Sequence, residues 1–309
     1  MKKKNIDIPI PLHRTSKLID VIKQKKQDLN GSYIYLKQIG EGGYGTVHLV
    51  YDCFHKRPIA VKHQNHALDE LEKEYNLLRL LQPKCPYVSS FCQYISRQHH
   101  GYLITEYITN GDLHCSNQFT ISTISPIIIS LLTALYQVHR HGYIHGDIKP
   151  ENILLRTPQE PILIDFGLAI RKQSQHRNPL NEICGTLQYM SLLQHDTLHI
   201  VSPYDDLWSL GLTCLSLLHS KPLPWERIID ERTNSQWDND QVDDTELSRL
   251  IYQEKKKTFK TYVKEGHPIF HTYFVQLLPW KKHRTIPPVV YRQLQQLFIP
   301  FIDVTSASD

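Results

Sequence analysis

The sequence has no dense cysteine framework and no spacing of cysteine or histidine that is typical of a metal site. Its six cysteines are scattered over 309 residues without a C-x-x-C pair. This distribution argues against a disulfide-stapled secreted domain and against a zinc module. The 18 histidines include no H-E-x-x-H motif. We therefore expect thiols in a reducing compartment rather than disulfides or metal centres.

Strong net charge and long apolar runs are also missing. The formal charge is only +4, which gives no support for a nucleic-acid partner. The most apolar stretch, 124–135, is interrupted by polar residues and Pro126, so we expect it to be too short and too polar to span a bilayer of about 30 Å. No apolar segment follows the basic start, as a signal peptide would require. We expect a soluble intracellular chain, in the cytoplasm, the nucleus or both, without a membrane partner; its oligomeric state is left open.

Hydrophobic patterning changes character once, near the turn Asn110-Gly111-Asp112. Before it, period-two alternation predicts short strands around one helix, and after it the pattern is mainly helical. The predicted strands are 33–39, 46–52, 58–63, 87–95, 102–107, 152–155 and 161–164, and the predicted helices are 68–81, 125–139, 207–219 and segments of 268–302. This predicts an α+β fold. Three outlying segments are expected: a basic N-terminal extension over 1–32 (a tail or a short amphipathic lead-in), an exposed acidic insertion over 230–246, and a C-terminal tail over 303–309.

A glycine-rich segment follows the first predicted strand. Gly40-Glu41-Gly42-Gly43-Tyr44-Gly45-Thr46-Val47 fits G-x-G-x-x-G-x-V, in which glycines let backbone N–H groups approach phosphate oxygens. A dinucleotide fold would need a helix directly after the last glycine. Residues 46–51 instead alternate and are β-branched, which predicts a strand. The pattern favours a phosphate-binding hairpin over a Rossmann fold, and a hairpin turn without a ligand is the plain alternative.

A lysine ends the third predicted strand, in Ile59-Ala60-Val61-Lys62. A lone lysine on a strand is usually a solvated edge charge, but this one follows the glycine segment and precedes an acidic helix. Its carboxylate partner is expected on that helix, where the candidates are Glu70, Glu72 and Glu74. We choose Glu74, because Leu77, Leu78 and Leu81 follow it at the spacing that packs such a helix on a sheet. Glu72 is the second choice.

Two further motifs complete an ordered set. They are His145-Gly146-Asp147-Ile148-Lys149-Pro150-Glu151-Asn152 and Ile164-Asp165-Phe166-Gly167. With the glycine segment and the strand lysine, in this order and at these separations, they resemble the protein kinase family. The resemblance implies a bilobal kinase domain over 33–302, with an N-lobe at 33–108 and a C-lobe at 109–302. It also implies ATP and Mg²⁺.

The resemblance assigns roles residue by residue. Asp147 would accept or orient the proton of the substrate hydroxyl, and Lys149 would face the γ-phosphoryl oxygens. Lys62, paired with Glu74, would hold the α- and β-phosphates. Asn152 and Asp165 would ligate Mg²⁺. For isolated Asp and Asn residues the ordinary alternative is a capping or loop-bracing role.

The same matching implies an ATP pocket, with Thr105 as gatekeeper before the linker. Its members would be Gly40, Glu41, Gly42, Gly43, Tyr44, Gly45, Val47, Ala60, Lys62, Thr105, Glu106, Ile108, Leu154 and Ile164.

Lys149 and Thr186 resemble the residues found at these positions in serine/threonine kinases rather than in tyrosine kinases. The implied partners are protein substrates with Ser or Thr acceptors. Because Asp112 and Glu151 match positions that favour basic residues in some kinases, these acceptors could lie near basic residues. The competing functions are a catalytically silent pseudokinase and a kinase-fold enzyme acting on a small molecule.

The sequence departs from the family pattern at several positions. Gly146 stands where an arginine usually precedes the base; the His-Gly-Asp variant is similar to vaccinia-related kinases, although Lys-Pro-Glu-Asn is not their usual continuation. Ser191-Leu192-Leu193 stands where A-P-E is expected, so Arg284 resembles a C-lobe arginine without its glutamate partner. We therefore expect weaker support for the substrate-binding segment. Asp206 resembles the aspartate that is buried beneath the catalytic loop.

Overall fold

The computed structural model describes residues 12–26, 31–42, 45–97, 99–115, 119–172, 185–196, 198–219, 221–234 and 244–302. The chain divides into two compact units. The first unit is Met1–Thr109 with Asp165–Gly167, and the second is Asn110–Ile164 with Leu168–Asp309. The tail expected at 303–309 lies outside the described residues.

The first unit contains one antiparallel sheet of five strands in the order β1-β2-β3-β5-β4. The strands are β1 (Tyr33–Gly42), β2 (Gly45–Asp52), β3 (Arg57–Gln64), β4 (Cys92–Arg97) and β5 (His100–Glu106). The helix α2 (Leu68–Leu81) coincides with the predicted one, and it buries Leu71, Leu77, Leu78 and Leu81. These leucines recur at three- to four-residue steps and therefore form the apolar stripe that packs on the sheet.

A helix precedes the sheet within the region expected to be an extension. This helix, α1 (Leu12–Gln24), places Leu18, Ile19, Val21 and Ile22 in one core cluster with apolar residues of the sheet, among them Tyr33 and Val61. Since the buried residues recur at i, i+1, i+3 and i+4, they share one helical face. The amphipathic lead-in of the two sequence alternatives is thus the one found, and it is part of the core of the first unit.

One predicted strand begins too early. The prediction over 87–95 is wrong in its first half, because β4 starts at Cys92. Val88 and Phe91 are buried, but they belong to a loop in which the Ser89 hydroxyl donates to the Phe91 carbonyl over 2.7 Å. Residues that are buried in a loop produce the same apolar sequence pattern as residues of a strand, although the loop forms no strand-to-strand hydrogen bonds. This similarity explains why the predicted strand begins too early.

The second unit is mainly helical. Its helices are α3 (Ile121–Arg140), α4 (Pro203–Leu218), α5 (Glu226–Asn234), α6 (Asp244–Glu265), α7 (Pro268–Leu277) and α8 (Pro288–Phe298). Its short strands are β6 (Tyr143–Ile144), β7 (Ile153–Thr157), β8 (Glu160–Leu163) and β9 (Ile170–Arg171), paired as β6 with β9 and β7 with β8. The prediction of an α+β fold, with a strand-rich first part and a helical second part, is confirmed.

The core helix α3 is longer than the sequence suggested. Its capping box at Thr120 and Thr123 starts it four residues before the predicted beginning. With 20 residues it is long and apolar enough to cross a bilayer, so the expectation that this stretch is too short was wrong. The apolar residues of α3 are nevertheless largely buried within the second unit, including Ile124, Ile128 and Leu132. Burial of this kind is what a core helix shows.

Two helices flank the acidic segment expected to be an insertion. The helix α5 covers its first residues, and α6 begins at Asp244. Residues 235–243, which hold three of its seven acidic residues, lie outside the described residues. Likewise α4 begins earlier than predicted, because Ser202 and Asp205 form a capping box and Pro203 occupies the first turn.

Candidate active site

The glycine segment forms the hairpin between β1 and β2. Gly40, Glu41 and Gly42 end the first strand, and Gly45 begins the second opposite Gly42. Gly45 has φ +135°, and an added Cβ would lie 2.2 Å from the carbonyl oxygen of His63. Any side chain is excluded at this position. The predicted ATP-binding residues Gly43 and Tyr44 lie outside the described residues.

Lys62 forms a buried ionic cluster within the first unit. Its Nζ lies 2.8 Å from Glu74 Oε2 on α2 and 2.8 Å from Asp165 Oδ1. Glu74 is 4% exposed, and its other oxygen accepts the backbone N–H of Phe166 over 3.2 Å. Glu72, the second choice from the sequence, is exposed on the opposite side of the helix. The structure therefore places Glu74 beside the lysine.

Charge in this cluster keeps the lysine protonated. Burial opposes the charge on Lys62, but Glu74 and Asp165 outweigh it and raise the pKa of the amine above its ordinary value. Asp165 has a left-handed backbone with φ +57°, a conformation that Asp adopts more readily than most residues. Its side chain is 46% exposed, so the carboxylate that bonds the lysine is also accessible to solvent.

The other predicted ATP-binding residues are divided between the two units. Val47 on β2 pairs with Lys62 on β3, and Ala60 on β3 pairs with Thr105 on β5. Glu106 ends β5, and Ile108 follows it as a buried residue of the first unit. In the second unit, Leu154 pairs with Ile162 across the β7–β8 hairpin, and the Ile164 amide donates to the Asn152 carbonyl over 3.0 Å.

The catalytic-loop motif closes around Asp147 in the second unit. Asp147 Oδ1 accepts the hydroxyl of Thr186 over 2.6 Å. Its Oδ2 lies 2.9 Å from Lys149 Nζ and accepts Asn152 Nδ2 over 3.0 Å. Lys149 also donates to Thr186 Oγ1 over 2.8 Å. A hydroxyl, an amine and an amide from three different residues thus fix the carboxylate of Asp147, a residue that is only 8% exposed.

This network leaves Asp147 suited to proton transfer. Each charge-assisted hydrogen bond contributes about 1.5–3 kcal/mol, and together the three fix the side-chain rotamer. Asn152 Nδ2 also donates to the Asp147 carbonyl over 2.8 Å, so both amide hydrogens of Asn152 point toward Asp147. The amide oxygen of Asn152 is therefore the atom that remains for a cation.

A second buried carboxylate, that of Asp206, binds the backbone of the loop that contains Asp147. Asp206, on α4, accepts the backbone amides of His145 and Gly146 over 2.8 and 2.9 Å. It also lies 2.7 Å from Nε2 of His139. Burial alone would raise the pKa of Asp206, but the contacts with His139 and the Gly146 amide outweigh it and lower the pKa. The buried position expected for Asp206 is thus observed.

His139 also supports the loop through its contact with Asp206, although no pattern in the sequence marks it. It lies on the apolar helix α3, and its Nδ1 lies 2.6 Å from the hydroxyl of Tyr291 on α8. A histidine on an apolar helix resembles any buried polar residue in sequence. Its role becomes visible only in the structure, where α3, α4 and α8 bring His139, Asp206 and Tyr291 together.

The glycine that replaces the expected arginine has a conformational reason to be there. Gly146 has φ +83°, and an added Cβ would lie 3.1 Å from the Leu168 carbonyl oxygen. Glycine adopts this left-handed conformation at little cost. The loop that contains Asp147 is therefore built without a side chain at this position.

Comparison with known proteins agrees with the motifs. A family profile described as "Protein kinase domain" matches residues 33–278. The chain is 31% identical over 283 residues to an Aurora kinase of Yarrowia lipolytica, which covers 79% of this chain and 69% of the relative. It is 30% identical over 227 residues to serine/threonine-protein kinase C of Synechocystis sp., covering 66% of this chain and 42% of the relative.

A more distant relative has the same kind of name. Casein kinase I homolog 1 of Saccharomyces cerevisiae is 27% identical over 239 residues, which is 70% of this chain and 42% of the relative. The chain thus spans less than half the length of several curated relatives that it matches.

Proposed function

The chain belongs to the protein kinase family, and on this premise we propose that it is an active serine/threonine kinase that transfers the γ-phosphoryl group of ATP to hydroxyl groups of proteins. The main support is the contact of the Asp147 carboxylate with Thr186, Lys149 and Asn152. Phosphoryl transfer requires a carboxylate that orients the attacking hydroxyl and a positive charge near the phosphoryl oxygens, and Asp147 and Lys149 are suited to these two roles.

In the proposed reaction Asp147 accepts the proton of the attacking hydroxyl. Lys149, 2.9 Å from Asp147, supplies positive charge for the oxygens of the phosphoryl group as it transfers. Because the transition state is loose, positioning and neutralisation of charge provide most of the rate enhancement. The Thr186 hydroxyl forms hydrogen bonds with both Asp147 and Lys149 and so fixes their relative positions.

The first unit supplies the groups for the rest of the nucleotide. Lys62 is protonated and held by Glu74, so its ammonium group is available for the α- and β-phosphate oxygens. The backbone of the glycine hairpin provides N–H donors with little steric obstruction. We assign the adenine to the apolar and backbone groups predicted from the sequence, with Thr105 and Ile108 among them.

Asn152 and Asp165 fit the ligand chemistry of Mg²⁺. Asn152 points its amide hydrogens at Asp147, which leaves its oxygen as the ligand atom. Asp165 offers a carboxylate with considerable solvent exposure. Mg²⁺ prefers such hard oxygen ligands and retains several waters. When bound, the ion would neutralise phosphate charge.

The silent pseudokinase is less well supported. The residues that carry transfer, Lys62, Asp147, Lys149, Asn152 and Asp165, are all present, and each makes the contacts described above. None of these contacts indicates a lost activity. An intracellular location, and the absence of membrane and nucleic-acid partners, fit an ATP-dependent protein kinase and stay predictions.

We further propose a preference for basic residues near the acceptor. Burial raises the pKa of Glu226, the Leu223 amide and His114 oppose this rise, and the carboxylates of Asp230 and Glu151 add to it. Glu151 has a side chain that is 49% exposed. Asp112 contributes less, because its Oδ1 accepts the amides of His114 and Cys115 and braces a turn. Glu151 is therefore the residue that would recognise an Arg or Lys, because Glu226 also accepts a backbone amide, that of Leu223.

A peptide array with Mg²⁺ and labelled ATP tests this function. We expect labelled phosphoserine or phosphothreonine, stronger signal on peptides with arginine before the acceptor, and no signal from the Asp147→Asn variant. The Glu151→Gln variant should lose part of the arginine preference while still labelling neutral peptides. Label confined to tyrosine, or equal label from wild type and Asp147→Asn, would overturn the proposal.

A further inference from the structure

Four successive backbone carbonyls after Thr186 each accept a hydrogen bond from a side chain. Lys255 Nζ donates to the carbonyls of Leu187 and Met190 over 2.6 and 2.8 Å. Trp225 Nε1 donates to the carbonyl of Gln188 over 2.9 Å, and Ser209 Oγ donates to that of Tyr189 over 2.8 Å. We call residues 187–190 the anchored segment. A run of loop carbonyls held in this way requires a dedicated set of donors.

Lys255 is the central donor of this set. It lies on α6 and is 2% exposed. Its third partner is His195, whose Nε2 lies 3.2 Å away. An ammonium group has three N–H donors, and it meets three acceptors here: two carbonyls and one imidazole nitrogen. Among the described residues, no carboxylate forms an ion pair with Lys255.

His195 is suited to be an acceptor because it is neutral. Burial and the nearby amine of Lys255 lower the pKa of His195 to about 3. Its other nitrogen, Nδ1, lies 2.8 Å from Ser248 Oγ, which fixes the orientation of the ring. Burial also lowers the pKa of Lys255. Because a buried amine without hydrogen-bond partners is costly, the three acceptors stabilise Lys255 in this position.

The anchored segment lacks the support that related kinases have. Ser191-Leu192-Leu193 contains no glutamate, and Arg284 is exposed without an ion pair in the described part of the chain. Ser191 instead donates its hydroxyl to Asp205 Oδ1 over 2.6 Å. The expectation of weak support from the missing glutamate therefore overlooked Lys255, which is one of several lysines on a charged helix.

We propose that Lys255 is a positioning residue that holds the anchored segment, and through Thr186 the catalytic loop, in the absence of the glutamate–arginine pair. The connection is short, since Thr186 directly precedes the segment and donates to Asp147. The inference rests on the proposed kinase function, because the segment follows the threonine of the transfer site. Because Lys255 is buried and holds the anchored segment, its loss should affect the use of the protein substrate rather than the binding of ATP.

The test compares Lys255→Met with Lys257→Met, the same change at an exposed position two residues away. For Lys255→Met we expect the KM for peptide to rise about 10-fold or more, which is the loss of one strong hydrogen-bonding group. The KM for ATP should stay within about twofold, because the first unit is untouched. Lys257→Met should match wild type in both constants. An unchanged KM for peptide in folded Lys255→Met would overturn the inference.

Hydrogen exchange gives a readout that does not depend on activity. The amides of Tyr189 and Met190 donate to the Thr186 carbonyl over 3.0 and 3.2 Å and should exchange slowly in wild type. We expect faster exchange over 186–190 in Lys255→Met and no change in Lys257→Met. If Lys255→Met does not fold, Trp225→Phe replaces the indole with a smaller aromatic ring, removes the N–H donor to the Gln188 carbonyl and should also give faster exchange over 186–190.

These outcomes separate the two claims. Wild-type protein that transfers no phosphate would refute the kinase function, while faster exchange in the variants would still support the anchoring role. Active wild type with unchanged exchange in every folded variant would refute the anchoring role alone.

Discussion

At the scale of single residues, Thr186 uses one hydroxyl for two opposite hydrogen bonds. It donates to Asp147 Oδ1 over 2.6 Å and accepts from Lys149 Nζ over 2.8 Å. A hydroxyl is the only small group that can do both. The transfer half of the proposed site therefore depends on this one oxygen atom.

Replacing Thr186 tests that dependence. Thr186→Ala should lower kcat by about 10- to 100-fold, the equivalent of one charge-assisted hydrogen bond, and Thr186→Ser should retain most of it because the hydroxyl remains. Steady-state phosphorylation of a peptide at saturating ATP gives the measurement. Equal loss in both variants would show that the methyl group, not the hydroxyl, is what matters.

The residues that sequence predicted best are those in short ordered motifs. Glu74 was chosen from three candidates because of the leucines that follow it, and it is the one that contacts Lys62. Lys255 and His139 could not be chosen, because their partners come from other helices and no local pattern marks them. Contacts between distant elements are what a single sequence conceals.

At the scale of elements, α1 is the main addition to the sheet-rich unit. Its residues Leu18 and Ile19 are 0% and 2% exposed, in one cluster with Val50 and Tyr102. The family profile begins only at residue 33. The sheet of this chain therefore buries part of its apolar face under a helix that precedes the matched region.

Removing one leucine of α1 should measurably destabilise the first unit. Leu18→Ala is expected to lower the free energy of unfolding by about 2–5 kcal/mol, the usual cost of a fully buried leucine. Gln24→Ala, at an exposed position of the same helix, should change it by less than about 0.5 kcal/mol. Urea denaturation supplies both values. Equal stability of the two variants would contradict the packing of α1.

Element boundaries were predictable where caps and periodicity agree. The helix α2 coincides with its prediction because its leucine stripe begins and ends cleanly. The start of α4 was missed by four residues because the prediction followed its apolar pattern and not the capping box at Ser202. The sequence leaves α1 ambiguous, because its basic flanks indicate a tail whereas its four apolar residues indicate a core helix.

At the scale of the whole molecule, the partly buried, neutral His63 makes stability depend on pH. His63 stacks on Tyr102 with ring centroids 4.7 Å apart, and its Nε2 lies 2.9 Å from His100 Nδ1. Burial, with His100, His48 and Lys23 adding repulsion, lowers the pKa of His63 to about 4. The folded protein therefore holds fewer protons than the unfolded chain between about pH 6.5 and pH 4.

Stability should consequently fall on acidification. Because the unfolded chain gains a proton at His63 first, this residue should lower the free energy of unfolding by at most about 1.4 kcal/mol for each pH unit as the pH falls from about 6.5 to about 4. His63→Gln should make this dependence shallower, and His99→Gln, at an exposed position, should leave it unchanged. Urea midpoints between pH 7.5 and 5 give the slopes. Parallel slopes for wild type and His63→Gln would contradict the assignment.

The proposed kinase function depends on phosphoryl transfer assisted by Asp147. The most direct measurement is the single-turnover rate of γ-phosphate transfer from Mg²⁺-ATP to peptide, for wild type and Asp147→Asn, with ATP affinity measured in parallel. We predict a loss of about 100-fold or more in Asp147→Asn with ATP affinity within about threefold, since Asp147 does not hold the nucleotide. Transfer at the wild-type rate by Asp147→Asn would contradict the account.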